Sequence, residues 1–570
     1  MRKNWSFIWI ILLIAASLVL GFSVGKYYRM FSPDIRMLRT EQNKISEALD
    51  VISRNYVDTV DVKRLTESAV AQIVSELDPH SSYIPAAEVE SSNEDLEKSF
   101  SGIGIQFNMQ SDTIIVISII SGGPAEKAGL MPFDRIMTVD DSIIAGRSLG
   151  TNKVMRMLRG TKDSKVRLGI QRGDAENLTE FELTRGDIPN YSIDASFIVN
   201  KKIGYIKVTR FARDTYNEFL TSIAKLRQQG AESFIVDLRD NPGGYMEPAV
   251  YMVNEFLSKG SMIVYTQGRA HRRTETHSNG KGSCQDIPIV LLINELSGSA
   301  SEIFTGAIQD NDRGLIIGRR SYGKGLVQTK LDLSDRSELL LTIARYYTPS
   351  GRCIQKNYEL GKSDEYGLDL YNRYMHGEFY SADSIKMNDS IEYKTVSGRT
   401  VYGGGGIMPD IFIPRDTTGI TSYFSNVINT GVLYQFALDF SDKNHDELKT
   451  FGDYHALFDY LKQQQLFDKF ADFAALKGIK KRPLLMEISR DLIETQIYAY
   501  IVRNFFDNEG FYQIFLKNDA TLNKAVDVIN DGRWNPTVFD ARKPGREGEA
   551  LKSAYVSGSH IQKSVYALYD

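Results

Sequence analysis

Ser299 stands in Leu296-Ser297-Gly298-Ser299-Ala300-Ser301-Glu302, between the apolar run Ile287 to Ile293 and the helical pattern Ile303 to Gln309. A serine at such a strand-to-helix turn is exposed, and the N–H of the next residue, here Ala300, can point at a developing oxyanion. The same residues also read as an ordinary helix start, because Ser299 with Glu302 three positions on is a capping-box pattern. Serine lacks acidity and needs a base. No histidine lies between His277 and His376, although a base from a distant segment stays open in principle. A lysine can serve only where desolvation depresses its pKa, since an ammonium accepts no proton. Lys324, between Gly323 and Gly325 and next to Leu326-Val327, meets that condition in sequence. Taken alone, such a pair is weak, because most serines and lysines are surface residues.

Other motifs have to be weighed against this one. Gly318-Arg319-Arg320-Ser321-Tyr322-Gly323-Lys324-Gly325 matches a phosphate-binding loop, but Gly325 supplies no hydroxyl for a metal ion and the chain continues Leu326-Val327-Gln328-Thr329 as a β-like run. Gly102-Ile103-Gly104-Ile105 lacks the third glycine and the preceding strand of a dinucleotide turn. With the following "GGPAEKAGLMPFDRIMTVDD" it instead resembles a PDZ domain. By that resemblance Gly102, Ile103, Gly104 and Ile105 form the carboxylate-binding loop. The adjoining strand edge would take up a peptide by β-augmentation, and a helix carrying Val154 and Leu158 would face the groove. Tight turns in a small barrel are the bland alternative.

The blocks "LDPHSSYI" (77–84), the PDZ-like segment, "IVDLRDNPGG" (235–244), "ELSGSASEIFTGAIQD" (295–310), "GRRSYGKGLVQ" (318–328) and "YYTPSGRCIQ" (346–355) occur in one order. In that order they resemble the carboxyl-terminal processing peptidases, or tail-specific proteases, of serine peptidase family S41, over about residues 36–415. The resemblance implies Ser299 as nucleophile, Lys324 as general base and Gln328 as a third member that positions the lysine. It places the oxyanion hole at the N–H of Ala300 and at Gly243 or Gly244, and it calls for no metal or other cofactor. It also implies an α/β core of the crotonase/ClpP-like superhelical kind rather than a doubly wound sheet. "GGGGIMPDIFIP" (403–414) looks like the family's terminal block, displaced by an insertion at about 356–400 as in members from Bacteroidetes-type bacteria.

The elements that must position these residues follow from the pattern. Residues 36–76 are expected to be helical, 99–187 to form the β-rich PDZ domain, and 188–415 to form the α/β core, with Ile203 to Val208, Phe234 to Leu238, Ile287 to Ile293 and Leu315 to Ile317 as buried strands. The polar, Tyr-rich insertion is expected to be a surface excursion. Residues 30–98 make an N-terminal helical region. Residues 416–570, helical most clearly from Leu484 to Phe506, carry no catalytic motif and leave structural, oligomerising and partner-docking roles open.

The run Asn4 to Gly25 is uncharged between Arg2-Lys3 and Lys26, long enough to span a bilayer. A signal-anchor over residues 1–29 is the favoured reading and a cleaved signal peptide the alternative. With the resemblance, this places the catalytic part outside the cytoplasm, in the periplasm of a cell with an inner membrane. The 570 residues hold 68 Lys+Arg against 72 Asp+Glu, which argues against nucleic acid as a partner. Two cysteines, Cys284 and Cys353, exclude a disulfide scaffold, and whether they pair stays open. Expected partners are protein substrates with apolar C-terminal tails, the membrane, and an adaptor protein or a second copy of the chain. The expected function is a membrane-anchored serine endopeptidase. A catalytically silent peptide binder or a PDZ scaffold on the same fold is the rival, which retention of Ser299, Lys324 and Gln328 together disfavours.

Overall fold

The computed structural model describes residues 17, 19–20 and 33–537 except 95, 111, 121, 174, 176 and 386–391. Among them no helix is long and apolar enough to cross a membrane, and the expected anchor, residues 1–29, lies almost wholly outside them. The N-terminal helical pattern resolves into α1 (Pro33–Asn55) and α2 (Val62–Ser75). They break at Asp61, whose carboxylate accepts the Arg64 N–H and caps the second helix. After Asp78-Pro79 the chain turns into β1 (Ser82–Ile84).

Alternating apolar and polar residues then build the PDZ unit from β2 (Ser99–Gly102), β3 (Ile105–Gln110), β4 (Thr113–Ile119), β5 (Arg135–Val139), β6 (Ser142–Ile143), α3 (Thr151–Leu158), β7 (Lys165–Gln171), β8 (Thr179–Thr184) and β9 (Gly186–Pro189). In β7 the alternation is plain: Val166, Leu168 and Ile170 are buried, Lys165 and Arg167 exposed. The sheet runs β3-β4-β5-β7-β8, so β3 keeps a free edge, and β2 pairs with β9. The inner face packs Ile114, Val116 and Ile136 against α3. The outer face, through Ile115, Ile117 and Phe133, meets Tyr434 and Leu438 of the C-terminal region, with Arg135 paired to Asp442 at 2.9 Å.

The core follows as β10 (Ile193–Asn200), β11 (Ile203–Val208), α4 (Thr215–Gln228), β12 (Ser233–Asp237), α5 (Met246–Asn254), β13 (Met262–Gln267), β14 (Thr274–His277), β15 (Ile289–Ile293), α6 (Ala300–Asp310), β16 (Leu315–Gly318), β17 (Leu326–Asp332) and β18 (Glu338–Tyr347). After α7 (Ser363–Gly367) and the β19 (Glu392–Lys394) and β20 (Thr400–Tyr402) ribbon, β21 (Ile411–Phe412) closes the main sheet, ordered β10-β11-β12-β15-β16-β21. All its pairings are parallel except β10 with β11. Every residue of β12 and β15 is buried, as a parallel sheet covered on both faces requires. A second sheet, β1-β18-β13-β14 with β17 on β18, draws the N-terminal "SYI" strand into the core.

The mixed α/β architecture with a PDZ unit and helices at both ends is the expected one. Two placements go beyond what the sequence shows. The C-terminal region, here α8 (Val432–Lys443), α9 (Arg490–Phe515) and α10 (Ala520–Asn530), has its own hydrophobic core, yet its last helix also belongs to the main sheet. Leu522, Ala525 and Val528 of α10, with Leu516, cover Tyr205, Ile235, Val290, Leu292 and Ile317, the face opposite α4, α5 and α6. The insertion stays largely at the surface, but Tyr366, Arg373, Glu378 and Phe379 are buried and anchor it to the core. Arg373 donates to the carbonyls of Arg320 and Ser321, because the long polar side chains find their partners in the main-chain loop next door. Both cysteines are free thiols.

Candidate active site

The serine loop is fixed by the serines that flank Ser299. Ser297 Oγ donates to the Leu238 carbonyl at 2.8 Å and accepts the Asn294 N–H, while Ser301 Oγ donates to the Asn241 carbonyl at 3.0 Å. Together they stitch the start of α6 to the turn after β12. Ser299 differs from both: its hydroxyl ties to no other loop, staying within the capping box it forms with Glu302, and it lines a cleft of about 1070 Å³. Its backbone sits at φ 56° and ψ −115°, a strained conformation for a residue with a side chain. The strain is held by Glu302, whose Oε2 accepts the Ser299 N–H at 2.8 Å.

Glu302 does more than cap the helix. Its Oε2 also accepts the Lys324 N–H at 2.9 Å, and its Oε1 accepts the Gly323 N–H at 2.7 Å and the Ser321 hydroxyl at 2.5 Å. One fully buried carboxylate thus joins the serine turn to the lysine loop, and burial pushes its pKa up to about 7. The sequence showed only the three-residue spacing of a cap; nothing in it signalled that the far side of the carboxylate would meet residues 321–324.

Lys324 lines the same cleft, and burial lowers its pKa against the opposing pull of Glu302 and Asp78. Its carbonyl and that of Ser299 both accept from the Tyr346 hydroxyl, a second tie between the two loops. Among the described residues Lys324 Nζ has no hydrogen-bond partner and Ser299 Oγ has none beyond its own helix turn, so the two are brought to one cleft without being bonded to each other. Gln328 also lines the cleft, but its amide donates to Thr342 Oγ1 at 3.2 Å, its cross-strand neighbour where a bulge interrupts the β17–β18 register. Thr342 Oγ1 in turn donates to Asp78 Oδ1. The expected bond from Gln328 to Lys324 is absent here, because the bulge turns the amide toward β18.

The Asn241-Pro242-Gly243-Gly244 turn forms the wall opposite. A Cβ on Gly243 would lie 2.6 Å from Ser299 Cβ, and one on Gly244 would lie 2.2 Å from the Phe211 carbonyl oxygen. Only glycine permits either approach. Gly243 donates its N–H to Asn241 Oδ1 at 2.9 Å, whereas the N–H groups of Gly244 and Ala300 have no acceptor among the described residues. Of the glycines expected at an oxyanion hole, Gly244 is therefore the one with a donor to offer beside Ala300. The cleft can bind a carbonyl oxygen between two N–H groups, next to a serine hydroxyl and a desolvated lysine, which is a layout for acyl transfer.

In the PDZ unit, Gly104 adopts φ 79°, and the N–H groups of Ile103 and Gly104 have no acceptor among the described residues. Gly102 pairs with Gly186, and Ile105 opens the free-edged strand β3. Val154 and Leu158 do not present an open groove face: they are 1% and 3% exposed, packed into the PDZ core with Ile103. Their i,i+4 spacing marks one apolar face of α3, and that face is the one the core takes.

Fold and cleft together define a serine hydrolase that carries a PDZ domain. The family model described as Peptidase family S41 matches residues 202–361, the PDZ domain model 101–183, and the model described as Activating protease CtpB N-terminal domain 30–87. Residues 423–507 match a family of unknown function, DUF8443. A "Probable CtpA-like serine protease" of Staphylococcus aureus (strain N315) is 34% identical over 358 residues, 62% of this chain and 71% of that protein. Its counterpart in Staphylococcus haemolyticus (strain JCSC1435) is 32% identical over 357 residues, with the same shares. Among solved structures, a photosystem II D1 C-terminal processing protease is 28% identical, covering 55% of this chain and 90% of its own, with a TM-score of 0.33. The chain belongs to the CtpA-like serine proteases of peptidase family S41.

Proposed function

We propose that this protease is an endopeptidase acting through an acyl-enzyme on Ser299. Lys324, in the deprotonated form that burial favours, takes the hydroxyl proton as Ser299 Oγ bonds to the substrate carbonyl carbon. The resulting oxyanion lies between the N–H groups of Ala300 and Gly244. Lys324 then gives the proton to the amine that leaves as the C–N bond breaks, and water, deprotonated in the same way, hydrolyses the ester. Gln328 reaches Lys324 once its amide leaves Thr342. The observation that carries this reading is that Ser299, unlike Ser297 and Ser301, does not spend its hydroxyl on another loop and lines the cleft that also holds Lys324.

The free N–H groups of Ile103 and Gly104 beside the open edge of β3 support recognition of a substrate's C-terminal carboxylate, with an apolar tail paired along β3. Contact with Val154 and Leu158 then requires α3 to shift from the core. The uncharged run Asn4 to Gly25 supports anchoring in the cytoplasmic membrane with the catalytic part outside the cytoplasm. The test is cleavage of an unfolded reporter bearing an apolar or a charged tail by the wild type, Ser299→Ala and Lys324→Ala. Wild-type cleavage that prefers the apolar tail and is lost in both variants is expected. Cleavage surviving both sinks the mechanism, and tail binding without cleavage by the wild type points to a silent binder.

A further inference from the structure

The loop that carries Lys324 is held from behind by the inserted segment. Lys356 N–H donates to the Gly323 carbonyl at 2.9 Å, and Gln355 Oε1 accepts the Gly325 N–H at 2.7 Å, so the residues on both sides of Lys324 are pinned. Tyr366 of α7 backs these contacts. Its hydroxyl accepts from Gln355 Nε2 at 3.3 Å and lies 2.9 Å from His80 Nε2, and it is buried. The Lys356 ammonium sits 4.0 Å from the Tyr366 ring centroid and 4.2 Å from that of Tyr322, and it pairs with Asp369 at 3.0 Å. Arg373, further along the insertion, holds the carbonyls of Arg320 and Ser321. Residues 363–379 lie beyond the span 202–361 that matches the peptidase family model.

We propose that Tyr366 is a positioning residue for Lys324, its ring shielding the lysine loop from water and its hydroxyl fixing Gln355 and His80 behind it. The proposal rests on Lys324 being the base. The charged and titratable groups that face Lys324 are Glu302 from α6 and Asp78 and His80 from the turn before β1, with Lys356 and Tyr366 behind His80 from the insertion side. His80 is held neutral: burial first, then Lys324, lower its pKa to about 4. Letting water reach this group of residues raises the pKa of a lysine or a histidine and lowers that of a buried carboxyl, so an upward move excludes Glu302, and the same move in a His80→Gln background excludes His80.

The experiment measures kcat and KM against pH for the full chain on a fluorogenic unfolded peptide with an apolar tail, in the wild type, Tyr366→Phe, Tyr366→Ala, Lys324→Ala and Tyr371→Ala. Tyr371 is an exposed tyrosine of the same insertion and serves as the control. The acid limb of kcat is expected to move up by about one pH unit in Tyr366→Ala and about half that in Tyr366→Phe, with KM within about twofold and the control unchanged. If the alanine variant does not fold, the phenylalanine variant carries the test. A limb that stays in place in a folded variant overturns the proposal, and so does a downward shift, which hydration of Glu302 would produce. Cleavage surviving in Lys324→Ala instead overturns the base assignment itself. If Lys324→Ala abolishes cleavage while the Tyr366 limb stays fixed, the base stands and the brace falls.

Discussion

At Glu302 two oxygens receive bonds from Ser299, Ser321, Gly323 and Lys324. Glu302→Gln keeps the shape but turns one acceptor into a donor aimed at N–H groups, leaving buried donors unpaired. We predict a fall in kcat of about tenfold to a hundredfold with tail binding to the PDZ unit unchanged, checked by steady-state kinetics and a peptide-binding assay. The same residue sets a pH dependence of stability. Its folded pKa of about 7 exceeds the reference value of 4.5, so its contribution is fully present below that reference value and is lost as pH rises through about 7. Urea midpoints at pH 5 and pH 8 should therefore fall further for the wild type than for Glu302→Gln; a larger fall in the variant contradicts the assignment. Ser299, Lys324 and the NPGG turn were legible in the sequence, because ordered blocks marked them and glycine announces close backbone approach. That Gly243 donates to Asn241, and that Gln328 turns to Thr342, was not legible. Both depend on side chain geometry at a turn and a bulge, which residue spacing does not encode.

Among the elements, the strands read from apolar runs form close to where expected, since a short apolar run between turns has few alternatives. The role of α10 was hidden, because an amphipathic period gives a helix a buried face without saying what buries it. The structure answers with the main sheet, and adds a polar link: Asp519, at the start of α10, accepts two bonds from the nearly buried Arg239, which also binds Asp237 beneath the NPGG turn. Asp519→Ala removes one of the two carboxylates that hold this guanidinium, and a loss of about 1–2 kcal/mol is predicted, read as a lower urea midpoint. An unchanged midpoint would detach α10 from the stability of the core. Gly104 makes the corresponding prediction for the PDZ loop. A Cβ there lies 3.2 Å from Ile188 Cδ1 at φ 79°, so Gly104→Val should abolish tail binding while cleavage of a short tail-less peptide persists. Equal loss of both would assign the glycine to general folding.

Across the whole molecule, the units named from sequence are woven rather than strung. The strand before the PDZ unit joins the sheet of β17 and β18, the insertion backs the lysine loop, and α8 holds the outer face of the PDZ sheet. A cleft with Lys324 as base, its pKa lowered by burial, should work poorly in acid and gain rate as pH rises through neutral toward mildly alkaline values, because only the deprotonated amine accepts the serine proton. A profile that falls over that range would remove Lys324 from the role. The scarcity of histidine that first directed attention to a lysine also has a structural sequel: the histidine beside it, His80, is held neutral and faces Tyr366 rather than Ser299. The central claim is tested most directly by acid-quenching the full chain during turnover of a peptide ester and locating the acyl group by mass spectrometry. The acyl mass is predicted on the peptide containing Ser299, absent in Ser299→Ala and strongly reduced in Lys324→Ala. An acyl group on another residue, or the same adduct in both variants, would contradict it.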